Sequence, residues 1–459
     1  MQKQLAIKIA IIFVIGLAIL IPINMVTSKV HERQSYQTQA KDSVAQSWTG
    51  PQMIITPMII IPYRLVIPRA PINKGRKLVN EAETAIVDRL TIVIPQKITG
   101  NIEVDNKSVF KGIYEIPVYN SQITLSGQFT TNTLRDEIAK IKATSGFESI
   151  GQPYISMHIA DVRGIDKAPT LTINNQSITL HPDSRLPSLS NGLSGSLPTQ
   201  ANSAELAFSL SLSLRGMASL SFIPLASDAI LKMHSQWPHP EFIGASLPAQ
   251  RQISANGFDA SWSSTRYSSN SLSLLQQCIS ANNCRKLKRS SSGVSFIEPV
   301  DVYLQSERAI KYAILFIGLS FISFFIFEHL KHIRIHPIQY TFVGLATAVF
   351  YLLLISLAEH IAFHWAYLIA VSCCSTLLLF YLRYMLKQLS AACLFSAMIV
   401  LLYSLLYIIV QAEDFALLMG AFLVFGVLAT LMFVTRKIDW YELSTPHDKQ
   451  TENPKPTVS

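Results

Sequence analysis

Charge is what this chain has least of. Only 15% of its 459 residues are Asp, Glu, Lys or Arg, while 49% are hydrophobic; an ordinary soluble domain carries about 25% charged residues. That excludes a purely soluble protein. The scarcity is sharpest in the last third, where the apolar runs hold ionisable residues only near their ends, at Lys311 and Glu328. Charge retained in mid-bilayer usually marks an ion or proton path, so its lack argues against an ion-coupled transporter. Glycines are few as well, and no paired Gly/Pro-broken spans suggest discontinuous transport helices.

Catalytic and metal signatures are also missing. No H-E-x-x-H, G-x-S-x-G or P-loop pattern occurs, so no catalytic residue, metal or cofactor is assigned. Of five cysteines, Cys373, Cys374 and Cys393 fall inside apolar runs, which leaves Cys278 and Cys284 in the polar region. Their short spacing allows a local disulfide staple in an oxidising compartment. Two thiols with no second pair or nearby His do not complete a tetrahedral metal site. The net charge of +9 lies in no basic stripe interleaved with aromatics, so nucleic acid is not an expected partner.

What the chain does have is apolar runs. Ala309–Phe327, Tyr340–Ala358, Phe363–Leu382, Leu389–Val410 and Phe415–Val434 each approach the roughly 20 residues an α-helix needs to cross the hydrocarbon core. Lys331 and Arg334, then Arg383 and Lys387, then Arg436 and Lys437 mark alternate ends, whereas Glu359, Glu413 and Asp414 mark the others. Positive short loops stay cytoplasmic, so the first of these runs enters from outside and the last ends inside. Near the start, Leu5–Val26 is interrupted only by Lys8, Pro22 and Asn24 and lacks a small-residue cleavage site, which predicts an uncleaved anchor. Lys3 and Lys8 hold its start in the cytoplasm, with Lys8 reaching the headgroups by snorkelling.

The expected architecture follows. Residues 1–27 form a transmembrane anchor, 28–306 a large mainly-β extracytoplasmic domain, 307–437 a bundle of five transmembrane helices and 438–459 a cytoplasmic tail. The chain is expected to be multi-pass, with the lipid bilayer as a partner, both termini cytoplasmic and residues 28–306 on the far side of the membrane. Ser28–Ser47 continues the anchor as a helix, stopped at Thr49-Gly50-Pro51. Beyond it, β-branched runs at Met53–Ile55, Ile59–Ile61, Leu90–Ile94, Ile102–Val104 and Ile113–Val118 predict strands. Strict alternation at Ile123–Phe129 and Leu206–Leu214 marks half-buried ones. One large sandwich-like domain or two smaller sheets would both fit. A short helix is predicted over Thr133–Lys142, and mobile surface loops over Ser184–Ala201 and Thr265–Gly293. The second loop holds both polar-region cysteines and the basic cluster Arg285–Arg289, read as solvated rather than as touching anionic headgroups.

Candidate functional positions come from two places. Trp237-Pro238-His239-Pro240, with Phe242, Phe258 and Trp262, is the densest aromatic segment outside the apolar runs. Its prolines make a rigid turn that either presents His239 to a ligand or packs Trp237 and Phe242 on the β core. Arg308, Lys311 and Tyr312 stand where domain meets bilayer, as functional residues or interfacial anchors. His329, His332 and His336 would share a face on a continuous helix, although ordinary cytoplasmic-loop histidines are the plainer reading.

Several of these stretches carry a resemblance. Glu307–Leu315 leading into Phe324-Phe325-Ile326-Phe327-Glu328, then His336-Pro337-Ile338-Gln339-Tyr340 and Phe350–Leu354, resembles the inner-membrane protein CreD family of Gram-negative bacteria. Gly50-Pro51-Gln52, Trp237–Pro240 with Phe242, Leu247-Pro248-Ala249, Gly257-Phe258, Trp262 and the closing Thr435–Tyr441 fit the same family in order. His329, His332 and the Cys278–Cys284 insert depart from it. The resemblance implies an envelope-integrity protein whose production answers to a two-component, stress-responsive regulator; it supplies no reaction. The expectation is non-enzymatic binding or scaffolding of an envelope component, lipid or cell-wall material, through the periplasmic domain. The alternatives are a membrane-associated enzyme on such material, with His239 as acid or base, and a lipid or small-molecule carrier.

Overall fold

The computed structural model describes residues 2–68, 84–198, 204–296, 302–330, 335–386, 388–412 and 415–436. The chain divides into two compact units, residues 1–37 with 300–459, and residues 38–299.

In chain order, α1 (Gln2–Ser47) leads to β1 (Gln52–Pro68), β2 (Thr84–Val93), β3 (Lys97–Lys111), β4 (Tyr114–Thr130), α2 (Thr131–Lys142), β5 (Phe147–Ile150) and β6 (Tyr154–Ile159). Next come β7 (Thr170–Ile173), β8 (Gln176–Ile178), β9 (Gly192–Ser196), β10 (Glu205–Met217), β11 (Ser219–Ile223), β12 (Asp228–Ser235), β13 (Pro240–Gly244), β14 (Gln250–Ser254) and β15 (Gly257–Thr265). Helices α3 (Ser271–Ala281) and α4 (Arg285–Arg289) precede β16 (Ser292–Phe296). Beyond it the described residues form six helices: α5 (Val302–Lys311), α6 (Ala313–Leu330), α7 (Pro337–Ala358), α8 (Phe363–Leu386), α9 (Leu389–Gln411) and α10 (Ala416–Thr435).

The β-rich unit is a sandwich of two eight-stranded sheets. One runs β13-β16-β11-β1-β6-β9, with β2 and β5 also on β1; the other runs β14-β15-β12-β3-β4-β10-β7-β8. Strand β10 shows why they stack: Leu206, Phe208, Leu210, Leu212 and Leu214 are buried, while the intervening Ala207 and Ser209 are exposed. That apolar face meets Ile59, Ile61, Ile155, Leu220 and Phe222 of the first sheet in one core.

Strand β1 is buried on both faces. Ile54, Ile59 and Ile61 enter the inter-sheet core, and Ile55, Met58 and Ile60 enter a second core on the opposite face. The change from even to odd numbers reflects a register shift between Ile55 and Met58 on β6, at Pro57, which has no N–H to give the ladder. Two runs that look like separate strands in the sequence are therefore one.

The second core corrects the expectation of mobile loops. Thr265–Gly293 contains α3 and α4, whose Leu275, Cys278 and Leu287 are buried with Leu186 and Leu189. Ser184–Ala201, as far as residue 198, supplies those two leucines and strand β9, and buries Ser184 and Ser194. Apolar residues spaced through a serine-rich background were enough to fold both segments.

The helical unit joins the first part of α1 to α5–α10. Among the described residues, α1, α7, α8 and α9 are long and apolar enough to cross a membrane, and α5 with α6 makes a fifth candidate bent by 45°. The expected first run, Ala309–Phe327, is thus not one straight helix. At its break the Tyr312 N–H donates to the Ala309 carbonyl at 3.3 Å, three residues back rather than four. The described apolar stretch of α10 is Leu418–Thr430. Phe422, Phe425, Leu428, Met432 and Phe433 of α10 are exposed, as suits a surface solvated by lipid. The chain is a multi-span membrane protein with a β-rich region. Lys331, Arg334, Lys387, Glu413, Asp414 and the tail from Lys437, which includes Trp440 and Tyr441, lie outside the described residues.

Candidate functional site

Glu328 lies near the end of α6, in which it is the one acidic or basic residue besides His329, and its carboxylate is buried. A lone carboxylate there would be costly. Three donors meet it: Lys8 Nζ on Oε1, the Ile335 N–H on Oε1 at 3.1 Å, and Tyr340 Oη on Oε2 at 2.8 Å. Lys8 Nζ also donates to the Ile335 carbonyl at 2.9 Å. Phe324 covers the cluster, with its ring 4.8 Å from that of Tyr340 and 5.1 Å from that of Phe395. Because Ile335 and Tyr340 flank the start of α7, the carboxylate also sits at the positive end of that helix.

The arrangement corrects the reading of Lys8 as a snorkelling residue. Its side chain is 20% exposed and turned to Glu328, as befits the first part of α1, which belongs to the helical unit. Both residues interrupt or end an apolar run at the end that charge patterning assigns to one membrane face. That shared level was the available signal, but partners so far apart in sequence hide it.

A second pair lies at the other end of α7. Glu359 caps the helix C-terminus, where a negative charge is disfavoured by the helix dipole. Arg33 Nε stands 3.2 Å from its Oε1, and Tyr303 Oη donates to the same oxygen at 3.3 Å. Lys8 and Arg33 lie about 37 Å apart along a helix rising about 1.5 Å per residue. The 22 residues of α7 span about 33 Å on the same rise. The two helices therefore run side by side in one direction, pinned at both ends. Between the pins, a Cβ on Gly344 would come within 2.8 Å of both Ile19 and Phe321, so glycine permits the close approach of α1, α6 and α7.

Deeper in the unit, Phe350 packs against Tyr351, Tyr367 and Tyr403. Tyr367 Oη donates to the Tyr403 carbonyl at 2.6 Å. The buried hydroxyls of Tyr351 and Tyr403 have no hydrogen-bond partner among the described residues. Tyrosine thus brings polar groups into the bundle interior beside the buried Ser320, Thr347, Ser375 and Ser396.

Each residue singled out in the sequence has a definite place. Phe258 and Trp262 are buried in the inter-sheet core, with the Phe242 ring 5.8 and 5.9 Å from theirs. Trp262 Nε1 donates to the Ser246 carbonyl at 3.2 Å. Trp237 packs partly against the same core and donates to the His239 carbonyl at 3.1 Å. The His239 side chain is exposed and without a hydrogen-bond partner among the described residues. Cys278 and Cys284 are joined by a disulfide. In the helical unit, Lys311 pairs with Glu307 at 2.9 Å, Arg308 is half-buried and Tyr312 stands at the α5–α6 break.

The three histidines do not share a continuous helix. His329 lies in α6, His332 lies outside the described residues, and His336 has extended backbone as the N-cap of α7, exchanging hydrogen bonds with Ile338 N–H and Gln339. Among the described residues no group of three or more His, Cys, Asp or Glu is placed to hold a metal. The sequence also passed over His158, a buried imidazole of β6 whose Nδ1 lies 2.6 Å from the Asn191 carbonyl. Burial pushes its pKa down.

The model of the family described as inner membrane protein CreD matches residues 4–441. The chain belongs to the CreD family. It is 33% identical over 448 residues to the inner membrane protein CreD of Escherichia coli (strain K12), covering 97% of this chain and 96% of that one. CreD-family membership spans both units, and marks the chain as an envelope-associated membrane protein. Among solved structures, a mutant M1 zinc metallopeptidase from Deinococcus radiodurans is 8% identical, covering 37% of this chain and 38% of its own, with a TM-score of 0.17. The peptide-bound form of that mutant is 7% identical over the same shares of the two chains, with a TM-score of 0.18. Likenesses that slight carry no argument.

Proposed function

We propose that this chain maintains envelope integrity without catalysis, by binding or scaffolding an envelope component through a β-rich unit on the periplasmic side of the inner membrane. One observation carries the reading. The chain leaves the helical unit after residue 37 and returns at residue 300, and the helix it leaves by is fastened to the helices it returns to through Lys8–Glu328 and Arg33–Glu359. Such a frame suits holding a domain in place more than moving a solute.

In this reading α1 crosses first from the cytoplasm, where Lys3 and Lys8 favour its start. Residues 28–306 are periplasmic, residues 307–437 cross five times with α5–α6 counted as one bent span, and residues 438–459 return to the cytoplasm. Arg383 and Arg436 mark cytoplasmic ends and Glu359 a periplasmic one. Production under a two-component regulator that responds to envelope or cell-wall stress accords with the family.

The test is complementation. In a strain lacking the protein, the full chain restores resistance to detergent, and a chain with residues 38–299 replaced by a short linker inserts in the membrane yet fails to restore it. Restoration by the helices alone would end this reading.

A further inference from the structure

Helix α4 concentrates cations on an ordered scaffold. Its Leu287 is buried with Leu275 and Cys278 of α3, and the Cys278–Cys284 disulfide ties the two helices together. Arg285, Lys288 and Arg289 are exposed and fall at i, i+3 and i+4, so they share one helix face. Like charges so spaced repel one another. No ion pair answers any of the three among the described residues.

These cations line a concavity of about 550 Å³ with Ser188, Asn282 and Cys284, and no Asp or Glu takes part in the lining. Ser188 and Asn282, both at positive φ, are hydrogen-bonded to each other across the rim. A second concavity on the outer face of the other sheet differs: there Glu103 and Asp259 offset Lys232 and Arg251. Of these two, the α4 concavity selects one sign of charge. Two guanidiniums and an ammonium on one wall match a tetrahedral oxyanion, because guanidinium donors pair with phosphate oxygens two at a time.

We propose that Arg285, Lys288 and Arg289, with Ser188 and Asn282, form a binding site for a phosphate-bearing anion. The site deepens the envelope-component reading above and rests on it only for the compartment in which the anion is met. Lys286, on the same helix but outside the lining, takes no part.

The full chain in a neutral maltoside detergent is titrated calorimetrically with inorganic phosphate and, separately, with a soluble short-chain phosphatidylglycerol. Native protein binds at least one probe saturably, and more weakly as sodium chloride is raised. Combined Arg285→Gln, Lys288→Gln and Arg289→Gln substitutions weaken binding by about tenfold or more, whereas Lys286→Gln leaves it unchanged. Equal affinity for the two probes assigns the site to the phosphate group alone; tighter lipid binding assigns it to a headgroup. The probe that binds also raises the melting temperature of the native chain and not of the triple variant, which separates lost binding from lost folding. Failure of both probes to bind the native chain, or equal affinity in the triple and Lys286→Gln variants, overturns the assignment. Because binding by purified protein does not depend on membrane orientation, failure here leaves the complementation test standing, and the reverse also holds.

Discussion

Lys8 and Glu328 are bonded to each other across 320 positions of sequence, inside a helical unit whose apolar runs otherwise exclude charge from their middles. Breaking a buried pair leaves one charge uncompensated, whereas removing both can be nearly neutral. Glu328→Leu or Lys8→Met alone should each cost about 3 kcal/mol, and the two together distinctly less than their sum. Denaturation of the purified chain in detergent measures this. Additive losses would mean that the two do not act as a pair.

Arg33–Glu359 should behave differently. The Arg33 side chain is 44% exposed, and so open a cation contributes about 1 kcal/mol or less. Arg33→Gln is therefore expected to destabilise mildly, with an effect that fades in high salt, while the effect of Lys8→Met persists. Equal salt sensitivity at both sites would contradict the difference in burial.

Gly344→Leu is expected to separate α1 from α7 and cost about 2 kcal/mol or more, because a Cβ there already meets Ile19 and Phe321 at 2.8 Å. Ile19→Ala in the same chain should recover part of the loss. A stable Gly344→Leu protein with no need of the second change would show that the helices do not meet there.

His158 gives the β-rich unit an acid sensitivity. Burial holds its folded pKa below the ordinary 6.5, so between the two values the unfolded chain binds more protons. Its contribution is complete above pH 6.5 and is lost as pH falls from there toward the folded value. Melting curves at neutral and mildly acidic pH should therefore diverge more for the native chain than for His158→Asn, which keeps a donor for the Asn191 carbonyl. Identical divergence would remove His158 as the cause.

Strand texture was legible wherever alternation was local, as in Leu206–Leu214, which β10 reproduces. It failed where geometry intervened: the register shift at Pro57 made one strand resemble two. The serine-rich segments hid their fold because a few leucines, spaced apart, bury as effectively as a dense run once β1 provides a surface on its second face. Trp237, Phe258 and Trp262 stood out by composition, but they proved to pack on the core, which composition cannot distinguish from a binding surface. The ion pair was least legible, since nothing local joins Lys8 to Glu328; only two lone opposite charges at one bilayer level hinted at it.

The most direct test of the whole account asks on which side of the membrane the β-rich unit lies. Alkaline phosphatase, active only after export, and a fluorescent protein that matures only in the cytosol are each inserted after Pro198 of the full chain. Phosphatase activity without fluorescence is the expected result; fluorescence without phosphatase activity would put the β-rich unit in the cytoplasm and contradict the account.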